Sequence, residues 1–141
     1  MLNTVLADFI PHPQRRIMGI DWGQERIGLS LSDPLWILAT PFMILQRRQR
    51  YSMLDHLITL LKEHEVGGIV LGLPLREDDT EDHVAKRIRR FAHVVLERYS
   101  SPLLLWNERF SSQQAQDLFP KHRALDAIAA SLVLQDVLEK L

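Results

Sequence analysis

The chain has 141 residues, of which 46% are hydrophobic and 25% charged. These values are typical of one globular domain with its own core, and they exclude a chain that is disordered throughout. It contains no cysteine, which excludes disulfides and thiolate zinc sites, and its formal net charge of −1 argues against a generic nucleic-acid binder with excess positive charge. Two local basic clusters interrupt this balance, and each is either a contact for nucleic acid or a solvated surface. They are Arg47, Arg48 and Arg50, and then Lys86, Arg87, Arg89 and Arg90.

The N-terminal part of the chain predicts a lead-in followed by three strands. Residues 1–15 are expected to be flexible, because Pro11 and Pro13 block regular structure. In the second strand, apolar residues alternate with small or polar ones, which indicates one buried face and pairing with the first strand as a hairpin. The three strands cover residues 16–21, 27–32 and 39–45.

Two amphipathic helices alternate with two further strands in the middle of the chain. Ser52 is a candidate N-cap for the first helix, whose apolar residues recur with helical spacing from Leu54 onwards. Thr80 is a candidate N-cap for the second. The runs at 69–73 and 103–106 are apolar throughout, as central parallel strands should be.

The C-terminal part is predicted to be helical. Ser111 or Ser112 begins a short helix, and a longer helix follows. The inward face of the longer helix is expected at Leu125, Ile128, Leu132 and Leu138.

The order β-β-β-α-β-α-β-α-α predicts an α/β fold with a mixed, mostly parallel five-stranded sheet flanked by helices. A single domain is expected over residues 16–141. The apolar stretch near the N-terminus is too short to span a membrane and lacks the basic start of a signal peptide. We therefore expect a cytoplasmic protein with no membrane partner.

Three acidic residues lie at or near the predicted carboxyl ends of strands, where the functional sites of α/β proteins are usually found. Asp21 ends the first strand, Glu108 follows the last strand, and Asp126 begins the final helix. Carboxylate oxygens suit magnesium or manganese, and two such ions can activate a water and stabilise the leaving oxygen of a phosphodiester. Because any α/β protein has carboxylates at strand ends, this placement alone leaves the metal site open.

Four short motifs stand at the ends of the predicted strands and helices. They are IDWGQERIGLSLSD at residues 20–33, VLGLPL at 70–75 with Thr80 and Glu81 after it, NERFSS at 107–112, and LDAIAA at 125–130, continuing to Leu134 and Gln135. Together and in this order they resemble the motifs of the YqgF family, a ribonuclease H-like group described as Holliday junction resolvases or pre-16S rRNA nucleases. The resemblance covers about residues 16–138, nearly the whole chain.

The resemblance implies a ribonuclease H-like sheet and phosphodiester cleavage that depends on a divalent metal, magnesium or manganese. It places the metal ligands and catalytic carboxylates at Asp21, Glu108 and Asp126. It also implies a role in processing precursor 16S rRNA in the bacterial cytosol, with ribosomal particles as partners. Branched DNA, the substrate of a Holliday junction resolvase, stays open as an alternative because the chemistry would be identical.

Four further residues are candidate substrate contacts. Arg26 and Arg109 carry guanidinium groups that suit phosphate oxygens, although each can equally pair with the acidic cluster. Ser111 and Thr80 are helix caps first and phosphate contacts second.

The motifs depart from the family pattern at three places. Asn107 stands where the family usually has Asp, which leaves open a catalytically weakened nucleic-acid-binding module. Asp79 stands where Gly is common, and the segment between Ser112 and Asp126 is shorter than usual. Because the three main carboxylates are present, an active enzyme is the expectation.

Overall fold

A computed structural model describes residues 2–23, 25–73, 83–107 and 125–141. Six strands form one sheet: β1 (Leu2–Asn3), β2 (Ile17–Trp22), β3 (Arg26–Ser32), β4 (Ala39–Gln46), β5 (Gly68–Leu73) and β6 (Leu103–Asn107). Three α-helices are described, α1 (Arg50–Glu63), α2 (His83–Arg98) and α3 (Leu125–Leu138), together with a 3-10 turn at Leu6–Asp8.

The strands lie in the order β1-β6-β5-β2-β3-β4. β2, β3 and β4 pair antiparallel, whereas β1, β6, β5 and β2 run parallel. The predicted mixed, mostly parallel α/β sheet is therefore confirmed. Because parallel strands end at the same side, Trp22, Leu73 and Asn107 mark one edge, which we call the carboxyl edge of the sheet.

Helices cover both faces of the sheet, which explains why every residue of β2 and β5 is buried. On one face, even-numbered residues of β2 such as Met18 and Ile20 pack with the apolar residues of α1 and α2. On the other, Ile17 packs with Val133, Leu134 and the rest of the apolar surface of α3. Because successive strand residues point to opposite faces, the odd-numbered residues of β2 face α3 and the even-numbered ones face α1 and α2.

The N-terminal segment contains regular structure, which Pro11 and Pro13 were expected to block. Leu2–Asn3 adds a sixth strand, parallel to β6, to the five that were predicted. The Leu6–Asp8 turn follows, and Phe9 is only 3% exposed in the core beneath α3. Residues 11–13 form no strand, as the prolines predict, but Phe9 before them is packed in the core.

Two details of the helices were predicted wrongly. Helix α1 begins at Arg50, and its N-cap position is Gln49 without a side-chain cap, so Ser52 lies inside the first turn instead of capping it. In α3, Ile128 and Leu138 are buried as expected, but Leu125 and Leu132 are only partly buried. The buried surface of α3 is wider than predicted and includes Ala127, Ala129, Ala130, Ser131, Val133, Leu134 and Val137.

The predicted caps at Thr80 and at Ser111 or Ser112 lie outside the described residues. In the described parts of the chain, no helix combines the length and hydropathy that crossing a membrane requires.

Candidate active site

Asp21 is the residue around which the candidate site is built. It lies one residue before the end of β2, at the carboxyl edge, and is only 5% exposed. Its register partner in β3 is Gly28, and residues opposite each other in a strand pair point to the same face. Asp21 therefore faces the side of the sheet that α3 covers.

Gly28 brings the beginning of α3 against this strand pair. A Cβ atom at Gly28 would lie 2.0 Å from the carbonyl oxygen of Asp126 and 2.6 Å from the amide nitrogen of Ala127. Any side chain at this position would collide with the backbone of the helix. The glycine therefore allows the first turn of α3 to rest on the strand beside Asp21.

A second contact holds the same helix one turn further along. The Ser30 hydroxyl donates a hydrogen bond to the carbonyl of Ala130 (2.9 Å), and both residues are buried. The backbone of Gly19 lies below, where a Cβ would come within 2.9 Å of that same carbonyl oxygen. The small residues of β2 and β3 thus fix both the height and the position of α3 over the sheet.

Asp126 lies in the first turn of α3 and is paired with Arg26. Arg26 Nε donates to Asp126 Oδ2 at 2.8 Å, and the two side chains are 53% and 27% exposed. Of the two roles considered for Arg26, the structure shows the salt bridge within the acidic cluster. At this exposure the pair adds little stability, so its main effect is to orient the carboxylate of Asp126.

The donor set is suited to a hard divalent cation. Asp21 and Asp126 lie on the same side of the sheet, Asp21 opposite Gly28 in β3 and Asp126 with its backbone against that glycine, and both offer carboxylate oxygens. Glu108, the third predicted ligand, lies outside the described residues, as do Arg109, Ser111 and Thr80. Within the described parts of the chain, no three His, Asp or Glu side chains form a group that could hold a metal ion.

Asn107, the residue that departs from the family motif, is the last residue of β6 and is exposed at the carboxyl edge. Its register partner is Leu73, at the end of β5. The chain therefore reaches the edge that carries Asp21 directly before Glu108 in sequence.

Trp22 follows Asp21 and points to the opposite face of the sheet, into the core with α1 and α2. The guanidinium of Arg47 lies 3.7 Å from the centre of the Trp22 ring, and Arg47 Nη1 donates a hydrogen bond to the carbonyl of Gly23 at 2.6 Å. Base stacking on Trp22 is therefore not supported, because the ring is 8% exposed and already covered by a cation. In the sequence, Arg47 stood out only as a member of a basic cluster.

Trp106, the other tryptophan near the carboxyl edge, also has a structural partner. Its Nε1 donates to Asp136 Oδ2 at 2.8 Å, and it packs against the core beneath α3. Partial burial raises the pKa of Asp136, but hydrogen bonds from Lys140 and Trp106 outweigh it and leave the pKa below its ordinary value.

Comparison with known proteins assigns the chain to a family. The family model of RuvX, described as Holliday junction resolvase, matches residues 15–140. The chain belongs to the RuvX family. This is the YqgF family of the sequence motifs, so the resemblance is confirmed, and so is the prediction of a nuclease, an enzyme that hydrolyses phosphodiester bonds.

Curated relatives in the RuvX family match along nearly their whole length. A protein of Syntrophomonas wolfei is 39% identical over 132 residues, which are 88% of this chain and 94% of the relative. One of Maridesulfovibrio salexigens is 34% identical over 128 residues, 85% of this chain and 95% of the relative. Both carry the name "Putative pre-16S rRNA nuclease".

Solved structures show the same fold at low identity. RuvC of Thermus thermophilus, in complex with a Holliday junction substrate, superposes with a TM-score of 0.57 at 11% identity, covering 89% of this chain and 95% of that one. The fowlpox virus resolvase, in complex with Holliday junction DNA, gives 0.53 at 13% identity, with 89% and 97% covered. At such identities the likeness confirms the ribonuclease H-like fold of the resolvases and nothing finer.

Proposed function

We propose that this protein is a divalent-metal-dependent endonuclease that acts on structured nucleic acid and processes precursor 16S rRNA. The observation that carries the proposal is the position of Gly28, which is the register partner of the buried Asp21 and also lies against the backbone of Asp126 in the first turn of α3. The names of the curated relatives support rRNA as the substrate. The setting would be the cytoplasm, with ribosomal particles as partners.

Asp21, Asp126 and Glu108 are the residues that would hold the ions. A bound divalent ion supplies an activated water and charge stabilisation for the leaving oxygen. Asp21 would present its carboxylate from the end of a strand of which every residue is buried. Arg26 keeps the carboxylate of Asp126 turned towards β3, and α3 presents it from its N-terminal first turn, where the helix dipole favours negative charge.

Arg109, Ser111 and Thr80 would contact substrate phosphates. In sequence, Arg109 and Ser111 follow Glu108 closely, and Thr80 lies in the segment that links β5 to α2. β5 and β6 both end at the carboxyl edge, at Leu73 and Asn107. This topology supports a substrate that lies across that edge.

A second candidate function is the resolution of Holliday junctions. The description of the matching family model favours it. The residues and the chemistry would be the same, and only the substrate would differ. A third reading, a nucleic-acid-binding module with weakened catalysis, rests on Asn107 in place of the usual Asp.

The test is cleavage by wild type, Asp21→Asn and the control Asp55→Asn, with end-labelled precursor 16S rRNA and a four-way DNA junction as substrates. Asp55 is an exposed carboxylate on α1 that pairs with Arg98, so its change to Asn alters the charge equally but away from the site. Each reaction is run with magnesium, manganese or chelator. We expect wild type and Asp55→Asn to cut the RNA only with metal, and Asp21→Asn to be slower by on the order of 100-fold or more.

Each contrary outcome has a distinct meaning. If Asp21→Asn cuts as fast as wild type, Asp21 is not part of the catalytic site. Cleavage of the junction but not of the RNA would favour the resolvase. Folded wild type that binds both substrates and cuts neither would favour the weakened module, and Asn107→Asp would then be the variant in which activity is sought.

A further inference from the structure

A basic pocket lies on the face of the sheet opposite Asp21, at the same carboxyl edge. Its volume is about 270 Å³. Its apolar wall is formed by Trp22, Met53, Leu54, Phe91 and Val94, and its charged groups are Arg47, Arg87 and Arg90.

The pocket joins the two basic clusters of the sequence, which are about 40 residues apart along the chain. Arg47 directly follows β4, whereas Arg87 and Arg90 are three residues apart on α2 and therefore share one face of that helix. In a protein of formal net charge −1, three guanidinium groups around one pocket are a local concentration of positive charge. Such a group of like charges is most stable when an anion lies among them.

The arginines differ in how they are held. Arg47 is fixed by its contact with the ring of Trp22 and by its hydrogen bond to Gly23. Arg87 and Arg90 are exposed, and within the described parts of the chain neither forms an ion pair with a carboxylate. The pocket thus combines one preorganised guanidinium with two that can turn towards a ligand.

We propose that this pocket binds a backbone phosphate of the nucleic acid, away from the bond that is cut. The identity of the ligand rests on the proposed function. Trp22 and Asp21 are consecutive in β2 and point to opposite faces, so a strand that passes over the carboxyl edge meets the pocket on one side and the carboxylates on the other. Arginine forks match phosphate oxygens, whereas the covered ring of Trp22 offers no face to a base.

The test is binding of a fluorescein-labelled single-stranded RNA, followed by anisotropy in chelator, where no metal-dependent cleavage occurs. The pocket variant is Arg87→Gln with Arg90→Gln. The control is Arg15→Gln with Lys62→Gln, which removes the same charge at exposed positions before β2 and at the end of α1, both remote from the carboxyl edge. Kd is measured at several salt concentrations for wild type and both double variants.

We expect the pocket variant to bind about tenfold more weakly than wild type at low salt, and the control to bind within about twofold of it. The slope of log K against log salt should fall by roughly 0.7 to 1.4 in the pocket variant alone, since one or two phosphate contacts on a single strand are lost. An equal loss in both double variants would show a general charge effect and overturn the proposal. Unchanged Kd and slope in the pocket variant, or no RNA binding by wild type, would overturn it as well.

This result is separable from that of the cleavage assay. If wild type cuts neither substrate with metal, the proposed nuclease function fails, but a loss of binding specific to the pocket variant still supports the phosphate site. If wild type cuts RNA and the pocket variant binds RNA as tightly as wild type, the nuclease function is supported and the phosphate-binding pocket is contradicted.

Discussion

At the scale of single residues, Asp33 is a carboxylate within the first sequence motif whose role in the structure is to stabilise a turn. Its Oδ1 accepts hydrogen bonds from the backbone N–H groups of Ile37 and Leu38, and its Oδ2 accepts one from Leu35, all at 2.8 to 2.9 Å. Asp33 precedes Pro34, and these hydrogen bonds make it the residue that organises the turn. The hydrogen bond from Leu38, opposed by partial desolvation and assisted by those from Ile37 and Leu35, holds the pKa of Asp33 below its ordinary value of 3.8.

The lowered pKa predicts how Asp33 contributes to stability as pH changes. A carboxylate with a depressed folded-state pKa stabilises the fold fully above its unfolded pKa and loses that effect as pH falls through the folded value. We therefore expect Asp33→Asn to lower Tm at pH 7, and the difference from wild type to shrink as pH falls below about 3.8. Thermal melts followed by circular dichroism between pH 2 and 7 measure this.

Asp8→Asn is the control for that experiment, because Asp8 is exposed and its side chain has no hydrogen bond within the described part of the chain. Its melts should follow those of wild type at pH 7. A difference between Asp33→Asn and wild type that stays constant down to pH 2 would contradict the assignment.

Asp21 and Asp126 illustrate a different use of carboxylates. Asp21 is buried near the end of a strand of which every residue is buried, and the role that we propose for its carboxylate is metal binding. The half-exposed pair of Arg26 with Asp126 contributes little to folding by comparison, and its role is to orient a side chain.

At the scale of elements, α3 is the helix that completes the site, and its close approach depends on small residues. Gly19 and Gly28 carry no side chain, so the backbone of the helix at Ala130 and Asp126 can lie close to the strands. Because the helix is apolar on most of its surface, hydrophobic burial drives it onto the sheet but does not choose its rotation. The steric fit at Gly28 and the hydrogen bond from Ser30 make that choice.

Gly28→Ala should therefore disturb both the fold and the site. The new Cβ would overlap the backbone at Asp126, and overpacking of this kind typically destabilises by about 1 to 3 kcal/mol. We also expect the cleavage rate per folded molecule to fall on the order of tenfold or more, because Asp126 is displaced from Asp21. Denaturant unfolding and the RNA cleavage assay measure the two effects.

The matched control is Gly68→Ala at the start of β5, where a Cβ would come within 2.9 Å of Pro11 Cβ at the far end of the sheet. It should lose stability without losing activity per folded molecule. Equal activity in the two variants would show that the position of α3 does not matter for catalysis.

At the scale of the whole molecule, the described elements pack around one sheet, and the N-terminal segment is part of that packing. Leu2–Asn3 extends the sheet beside β6, and Phe9 fills the core beneath α3. That residues 16–141 form one nuclease domain stays a prediction, and the buried Phe9 suggests that its core reaches further towards the N-terminus than residue 16.

The proposed metal site predicts a response of the whole fold to divalent ions. Carboxylates gathered without metal repel each other, and a ligand that binds only the folded state stabilises it by mass action. At a concentration of 100 times Kd, the gain in the free energy of unfolding is about 2.7 kcal/mol. We expect magnesium or manganese to raise Tm of wild type by several degrees.

Asp21→Asn should show a much smaller rise over the same range of metal concentration, and Asp55→Asn the same rise as wild type. A Tm of wild type that does not change at saturating metal would count against the site, whatever the outcome of the cleavage assay.

The sequence by itself determined the class of the fold, the strands β2 to β6 within one or two residues, and the family. Local patterns decide these features, since the period of two in β3 and the apolar runs of β5 and β6 depend only on neighbouring residues. The order of the motifs identified the family, whose model matches residues 15–140, whereas the assignment of Asp21, Glu108 and Asp126 as metal ligands stays a prediction.

The tertiary structure alone decided which residues meet. Phe9 was missed because its burial depends on packing with residues of β2 and α3 that are distant in sequence. The inward face of α3 was misjudged because a helix that is apolar on nearly all sides shows no single apolar stripe. The pairing of Arg26 with Asp126, and the pocket that unites Arg47 with Arg87 and Arg90, join residues about 40 to 100 positions apart. Such contacts follow from the order of strands and the packing of helices, which is why they appear only in the folded molecule.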